Sequence, residues 1–161
     1  MDRLRQGIFS SLGQRVDGAR ICDLFAGTGS YGLEALSRGA TSAAFVEQNR
    51  QACLMIKDNI RIVAKSMGVE NLETIVQTGD AIKANGLVDQ EFDLIFADPP
   101  YEIVESIHST LFVTFDRLLA ENGRVVFEMP GRCEFEPEGW ALMKRIGKGR
   151  DQATACIYSR K

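Results

Sequence analysis

The sequence predicts an α/β protein whose doubly wound, mostly parallel sheet ends in a C-terminal antiparallel hairpin, seven strands in all. Three observations predict it. Apolar runs of strand length alternate with stretches of helical period through most of the 161 residues, the pattern of parallel strands joined by crossover helices. The first strong run, "ARICDLFAG", feeds a glycine-rich turn and then a helix. The tail "WALMKRIGKGRDQATACIYSRK" reads instead as two strands around a Gly-containing turn, a hairpin rather than another crossover.

The elements follow in order. Leu4, Ile8, Phe9 and Leu12 recur at helical spacing and predict a short amphipathic helix before Gly13. After the first strand, Leu33, Ala35 and Leu36 open a helix that "SRGA" closes, with Gly39 at its end. "SAAFVE" is a second strand ending in an acid. Ala52, Ile56, Ile60, Val63 and Met67 form an apolar stripe, with Arg50, Lys57, Arg61 and Lys65 on another side, which predicts a longer helix. "ETIVQTGDA" gives a third strand. "FDLIFADPP" gives a fourth, nearly continuous in its apolar residues as a strand covered on both faces should be. Ile107, Leu111, Phe112, Phe115, Leu118 and Leu119 predict the next helix, ended by "ENG", and "RVVFEMP" the fifth strand.

Bulk composition narrows the function. Hydrophobic content of 45% and charged content of 25% are those of a soluble globular chain, and 161 residues suit one domain spanning 1–161. No uncharged apolar run reaches the length of a membrane span, and "MDRLRQGIFSSLG" lacks the apolar core of a signal peptide. Cys22, Cys53, Cys133 and Cys156 are scattered, with no CxxC pair and a single histidine, so neither a metal site nor a disulfide framework is expected. Reduced thiols and a cytoplasmic location are the matching expectation. A net charge of −3 gives no global basic footprint for a nucleic acid. The local exception, "KRIGKGR" at 144–150, is read as a solvated hairpin tip.

In parallel sheets, ligands gather outside the carboxyl ends of the strands. Asp23 to Gly29, Glu47, Asp80 and Asp98 to Tyr101 all fall there. "DLFAGTGSYG" contains GxGxxG at Gly27, Gly29 and Gly32, between a strand and a helix whose free N–H groups face a ligand. Glu47 suits ribose hydroxyls, which makes a nucleoside cofactor the expectation. Asp23, immediately before the glycines, would repel a pyrophosphate. S-adenosylmethionine, cationic and free of phosphate, tolerates it. Asp80 then fits two roles, a surface cap or an acceptor for the adenine amine, with the backbone N–H of Ala81 offered to the ring.

"DPPY" at Asp98, Pro99, Pro100 and Tyr101 ends the fourth strand with two residues that cannot donate to a ladder. A strand stop is the plain reading. The chemical one starts from a base's exocyclic amine, a poor nucleophile because its lone pair is delocalised into the ring. A carboxylate and a backbone carbonyl accepting its two N–H hydrogens would favour tetrahedral nitrogen and stabilise the developing charge. The prolines restrict the backbone that aims the carbonyl. Tyr101 can stack on a base that has left its neighbours.

With these residues in place, the chain resembles the class I S-adenosylmethionine-dependent methyltransferases bearing a D/N-P-P-Y/F motif, a Rossmann-like seven-stranded fold. More narrowly it resembles the RsmD-type bacterial enzymes that methylate the exocyclic N2 of a guanine in small-subunit (16S) ribosomal RNA. The similarity lies in "DRLRQGIFSSLG", "DLFAGTGSYGLEALSRGA", "FVEQN", "DPPY" and the final hairpin. It implies that Asp23, Phe25, Ala26, Gly27, Thr28, Gly29 and Ser30 wrap the methionine part of S-adenosylmethionine. Glu47 with Gln48 would take the ribose, and Asp80 with Ala81 the adenine. Asp98, Pro99 and Tyr101 would grip the base, Pro100 shaping the loop. Arg5 has two readings, a contact to the cofactor carboxylate or a plain surface arginine. The implied partner is ribosomal RNA or a small-subunit assembly particle, with a monomer expected, no membrane and no metal.

Two departures accompany the resemblance. Family members usually carry a basic β-hairpin ahead of the "DRLR" helix, and this sequence opens directly before it, so that hairpin is expected to be missing through truncation or a mis-assigned start. Tyr101 stands where the guanine enzymes often have Phe, and adenine-directed relatives also use Tyr. An adenine-N6 methyltransferase is therefore the runner-up. An NAD-dependent oxidoreductase leaves DPPY idle, and a non-catalytic binding subunit leaves Asp98 idle. No "PC" dipeptide occurs, so attack by a cysteine on a pyrimidine lacks its nucleophile. His108 is read as surface or packing.

Overall fold

Seven strands form one sheet in the order β3-β2-β1-β4-β5-β7-β6. The computed structural model describes residues 2–161. In chain order the elements are α1 (Arg3–Leu12), β1 (Arg20–Leu24), α2 (Ser30–Ser37), β2 (Ser42–Glu47), α3 (Arg50–Met67), β3 (Glu73–Thr78), β4 (Phe92–Ala97), α4 (Val104–Leu118), β5 (Leu119–Pro130), β6 (Trp140–Ile146) and β7 (Ala153–Arg160). The first five strands pair in parallel; β7 runs antiparallel to β5 and to β6, the hairpin the tail predicts. Among the described residues no helix is long and apolar enough to cross a membrane.

Local chemistry sets the boundaries. The Asp2 side chain accepts the Leu4 N–H at 2.9 Å and starts α1. Asn49 does the same for α3 through the Ala52 N–H at 3.0 Å, and Gly68 in the left-handed region ends it. Two expectations shift. "ENG" does not end α4: the helix stops at Leu118, and Leu119 already pairs with Phe92, so 121–123 form an irregularity within β5, with Asn122 at φ 64°. The stripe of α3 holds at Ile56, which is buried, and at Ile60 and Val63, which pack half-buried on the same core, but it is joined by buried Cys53 and Ala64 and does not include Met67, which is exposed.

Strand alternation gives the two faces different covers. Cys22, Ile95, Val125 and Phe127 face α4 through Leu111, Phe112 and Phe115. Ile21, Leu94, Phe96 and Val126 face α1 and α2 through Ile8, Phe9, Leu33 and Leu36. That alternation turns Asp23 within β1, Asp98 just past β4 and Glu128 within β5 to the α1–α2 side. Register aligns the last two: Ala97 lies opposite Phe127, so the next step sets Asp98 beside Glu128.

Candidate active site

The turn after β1 is held by two carboxylates. Asp23 is 1% exposed and its Oδ2 accepts the Gly32 N–H at 2.9 Å, tying the first turn of α2 to β1. Glu47, at the end of β2, accepts the Gly27 N–H at 2.9 Å through Oε1 and the Asn49 N–H at 2.7 Å through Oε2. Each Glu47 oxygen keeps a free acceptor position, since a carboxylate oxygen takes two hydrogen bonds. The glycines are steric necessities in two ways. Gly29 has φ 90°, and a Cβ on Gly32 would stand 2.4 Å from a Phe45 ring carbon. Phe25 adopts φ 57° without being glycine, an arrangement costing on the order of 1–3 kcal/mol and characteristic of functional loops.

The second half of the site forms at β4 and β5. Pro100, at φ −54° and ψ 135°, ends the extended segment, and Tyr101 opens a single 3-10 turn leading into α4. The Tyr101 hydroxyl donates to Glu128 Oε1 at 3.3 Å, and the Tyr31 hydroxyl donates to Glu128 Oε2 at 2.7 Å. Tyr31 is fixed by stacking on Phe96 with ring centroids 5.0 Å apart. Burial, then the facing Glu128 carboxylate, raises the Asp98 pKa to about 7. Burial, opposed by the Gly32 N–H and reinforced by Asp98 and Glu47, raises Asp23 to about 8. Burial and the Glu128 charge also hold the Tyr31 and Tyr101 hydroxyls well above their ordinary value.

A cavity of about 720 Å³ joins the two halves, a volume suited to a small-molecule site. Its wall holds Phe25, Glu47, Gln48, Asp80, Ala81 and Asp98 to Tyr101, nine of the residues singled out from the sequence. Asp80 Oδ1 accepts the Ile82 N–H at 2.9 Å, so its side chain caps a turn while facing the cavity. Asp23 lies beneath the glycine turn rather than on the wall, and Ala26 is buried in the turn as well. Gly27, Thr28, Gly29 and Ser30 carry the chain over to α2, with Thr28 and Ser30 exposed. Arg5 stands on α1, half-buried, its Nε without a hydrogen-bond partner among the described residues.

Glu128 is the residue the sequence reading missed. The signal existed: it is an acid near the end of the strand beside DPPY, where the crevice rule directs attention. The wall carries the carboxylates of Glu47, Asp80, Asp98, Glu102 and Glu128 and no lysine or arginine. Such a wall favours cationic or donor-rich ligands and repels phosphates. His108 lies outside it, stacked on Phe135 with centroids 3.9 Å apart, in the packing role expected. Of "KRIGKGR", Arg145 is engaged with the Gly131 and Cys133 carbonyls, while Lys144, Lys148 and Arg150 are exposed.

The family model described as "Conserved hypothetical protein 95" matches residues 1–158. The chain belongs to this family, the RsmD-type methyltransferases. The Bacillus subtilis (strain 168) protein YlbH is 33% identical over 147 residues, covering 89% of this chain and 78% of its own. The Haemophilus influenzae protein named "Ribosomal RNA small subunit methyltransferase D" is 28% identical over 149 residues, covering 92% of this chain and 76% of its own. Among solved structures, Escherichia coli YhhF shares the fold at a TM-score of 0.83 and 24% identity, covering 100% of this chain and 88% of that one. The DPPY segment and the ends of β2 and β3 wall one cavity, which the segment after β1 reaches through Phe25, while Gly27, Thr28, Gly29 and Ser30 lie off its wall.

Proposed function

We propose that this RsmD-type chain transfers a methyl group from S-adenosylmethionine to the exocyclic N2 of a guanine in small-subunit ribosomal RNA, free or in an assembling particle. The names of the Haemophilus and Escherichia coli relatives support the RNA class. The observation that carries the reading is Asp98: its carboxylate ends β4 on the wall that also holds Glu47 and Asp80.

The chain's groups fit the cofactor. Glu47 has one free acceptor position on each oxygen for ribose hydroxyls. Asp80 and Ala81 on the wall would meet the adenine, while Arg5, on α1 and off that wall, would need its unmet Nε to reach past the wall for a cofactor carboxylate. A wall without lysine or arginine suits a cationic ligand and speaks against the pyrophosphate of NAD. S-adenosylmethionine, when bound, supplies a methyl group activated on a positively charged sulfur.

The residues around Asp98 prepare the acceptor. Asp98 and the Pro99 carbonyl would take the two amine N–H hydrogens, drawing the nitrogen lone pair out of conjugation. Tyr101 would stack on the base at the cavity rim. As the nitrogen gains its new bond it sheds one proton, which the Asp98 carboxylate can accept. Comparing modified nucleosides in ribosomal RNA from cells with and without the protein tests the reading. Loss of one N2-methylguanosine is the expected result. Loss of an N6-methyladenosine would establish the second reading, which Tyr101 in place of Phe favours.

A further inference from the structure

We propose that Glu128 selects guanine over other amino-bearing bases, by accepting the ring N1–H that lies beside the amine to be methylated. The inference rests on the guanine-N2 reading and names the recognition that reading leaves open.

The geometry starts from register. Ala97 lies opposite Phe127, so Asp98 and Glu128 are neighbours at the ends of β4 and β5 and share one cavity wall. Glu128 is fixed from behind by the Tyr31 hydroxyl at 2.7 Å on Oε2 and from the rim by the Tyr101 hydroxyl at 3.3 Å on Oε1. Each oxygen keeps one acceptor position beyond its tyrosine, both tyrosine donors are neutral, and Asp98 fills such a position only when it is itself protonated. No lysine or arginine on the wall stands by to neutralise it. A carboxylate kept without a cation beside a second carboxylate is costly, and substrate donors would offset that cost.

Base chemistry then decides. An amine held at Asp98 puts the adjacent ring nitrogen against the next acceptor, Glu128. In guanine the C2 amine lies between N1, which carries a hydrogen and donates, and N3, which has only a lone pair, so a carboxylate accepts the base with its N1 side toward Glu128. In adenine and cytosine the corresponding nitrogen presents a lone pair, which a carboxylate repels. A site built around a substrate donor rejects analogues that lack it, because its own polar group is left unpaired. Asp98 alone would accept any exocyclic amine; the pair reads the donor–donor edge.

2-Aminopurine probes this contact, since it keeps the C2 amine and replaces N1–H by a lone pair; it also lacks the C6 oxygen, so the part of the preference that Glu128→Gln removes is the part that belongs to N1–H. The full-length protein with S-adenosylhomocysteine is titrated with RNA carrying guanine or 2-aminopurine at the mapped target position, and methyl transfer to the same RNAs is measured with S-adenosylmethionine. The wild-type protein should prefer guanine by roughly 10- to 100-fold in both affinity and kcat/KM. Glu128→Gln, which offers an amide donor, should bring the ratio to within about threefold. If wild type takes 2-aminopurine as readily as guanine, the proposal is overturned without any variant. An unchanged ratio in a folded Glu128→Gln protein, with both substrates lowered together, also overturns it and leaves Glu128 a support for the tyrosines. If wild type transfers no methyl to either RNA, it is the guanine-N2 reading itself that fails.

Discussion

The two halves of the cavity handle negative charge in opposite ways. Around β1, β2 and β3, each carboxylate is tied to backbone: Asp23 to Gly32, Glu47 to Gly27 and Asn49, Asp80 to Ile82. Around β4 and β5, Asp98 and Glu128 face one another, and the groups that restrain Glu128 are side-chain hydroxyls. Backbone N–H groups are built into the fold and hold the first half in shape whatever is bound. The second half keeps acceptors whose mutual repulsion a donor-rich substrate would relieve. On the proposed reading, one half would bind the cofactor and the other would meet the reacting amine.

Breaking the second half should give the largest effect. Asp98→Ala should lower methyl transfer by about 10²- to 10³-fold, as loss of one preorganised charge-stabilising group does. The same variant should keep its thermal stabilisation by S-adenosylhomocysteine, which at 100 times Kd amounts to about 2.7 kcal/mol. Radiolabel incorporation beside a melting curve separates the halves, and loss of both would show that the comparison is wrong. Glu47→Ala should do the reverse. It removes the acceptor of two backbone N–H groups, so affinity for S-adenosylhomocysteine measured by calorimetry should fall roughly 10- to 100-fold, the value of charged hydrogen bonds.

Acidity sharpens the comparison further. In the proposed role Asp98 would need to be ionised to stabilise the positive charge on the amine and take its proton, and its pKa is raised to about 7. The kcat/KM profile, which reports the free enzyme, should fall as pH drops through about 7. Glu128→Gln removes the neighbouring charge and should move that limb to lower pH. Stability runs the other way. A carboxyl whose folded pKa lies above its unfolded value stabilises the fold below the unfolded pKa, near 4, and the stabilisation is lost as pH rises through the folded one. With Asp98 at about 7 and Asp23 at about 8, the melting temperature of the ligand-free protein should fall between pH 5 and about 8. Asp23→Asn, which keeps an acceptor for the Gly32 N–H, should flatten much of that fall, each kcal/mol appearing as about 2–4 °C.

Most of this architecture was legible because its signals are local. "DLFAGTGSYG" announces a strand, a turn and a helix in ten consecutive residues, and "DPPY" marks a strand end by the absence of donors. The partner of Asp98 was not legible in that way. Glu128 lies thirty positions downstream, inside a run that reads only as a strand, and it gains its place through register between β4 and β5. The end of α4 escaped for a related reason: Leu119 continues the helical period, but pairing with Phe92 wins it for the sheet. Asp23 was legible as an acid at the turn, not as one sealed beneath it, because burial depends on how closely α2 packs over Phe45.

The smallest expected effect concerns a part of the sheet outside either half. Ala153 of β7 pairs with Pro130, and Gly131 donates to the Gln152 carbonyl at 2.9 Å, so the tip 147–152 stands at the same end of the sheet as Glu128. On the proposed reading the RNA phosphates would be met beside the acidic cavity, and the exposed Lys148 and Arg150, read from the sequence as a solvated tip, would be cations available to meet them. The double change Lys148→Glu with Arg150→Glu should weaken binding to the target RNA by about tenfold at low salt and reduce the slope of log K against log salt by about 2. Filter binding across a salt series measures both. The ratio of guanine to 2-aminopurine should not move, because the tip would meet the backbone while Glu128 would meet the base. A changed ratio would mean that the hairpin sets how the base enters, and that the two acidic halves do not alone define the site.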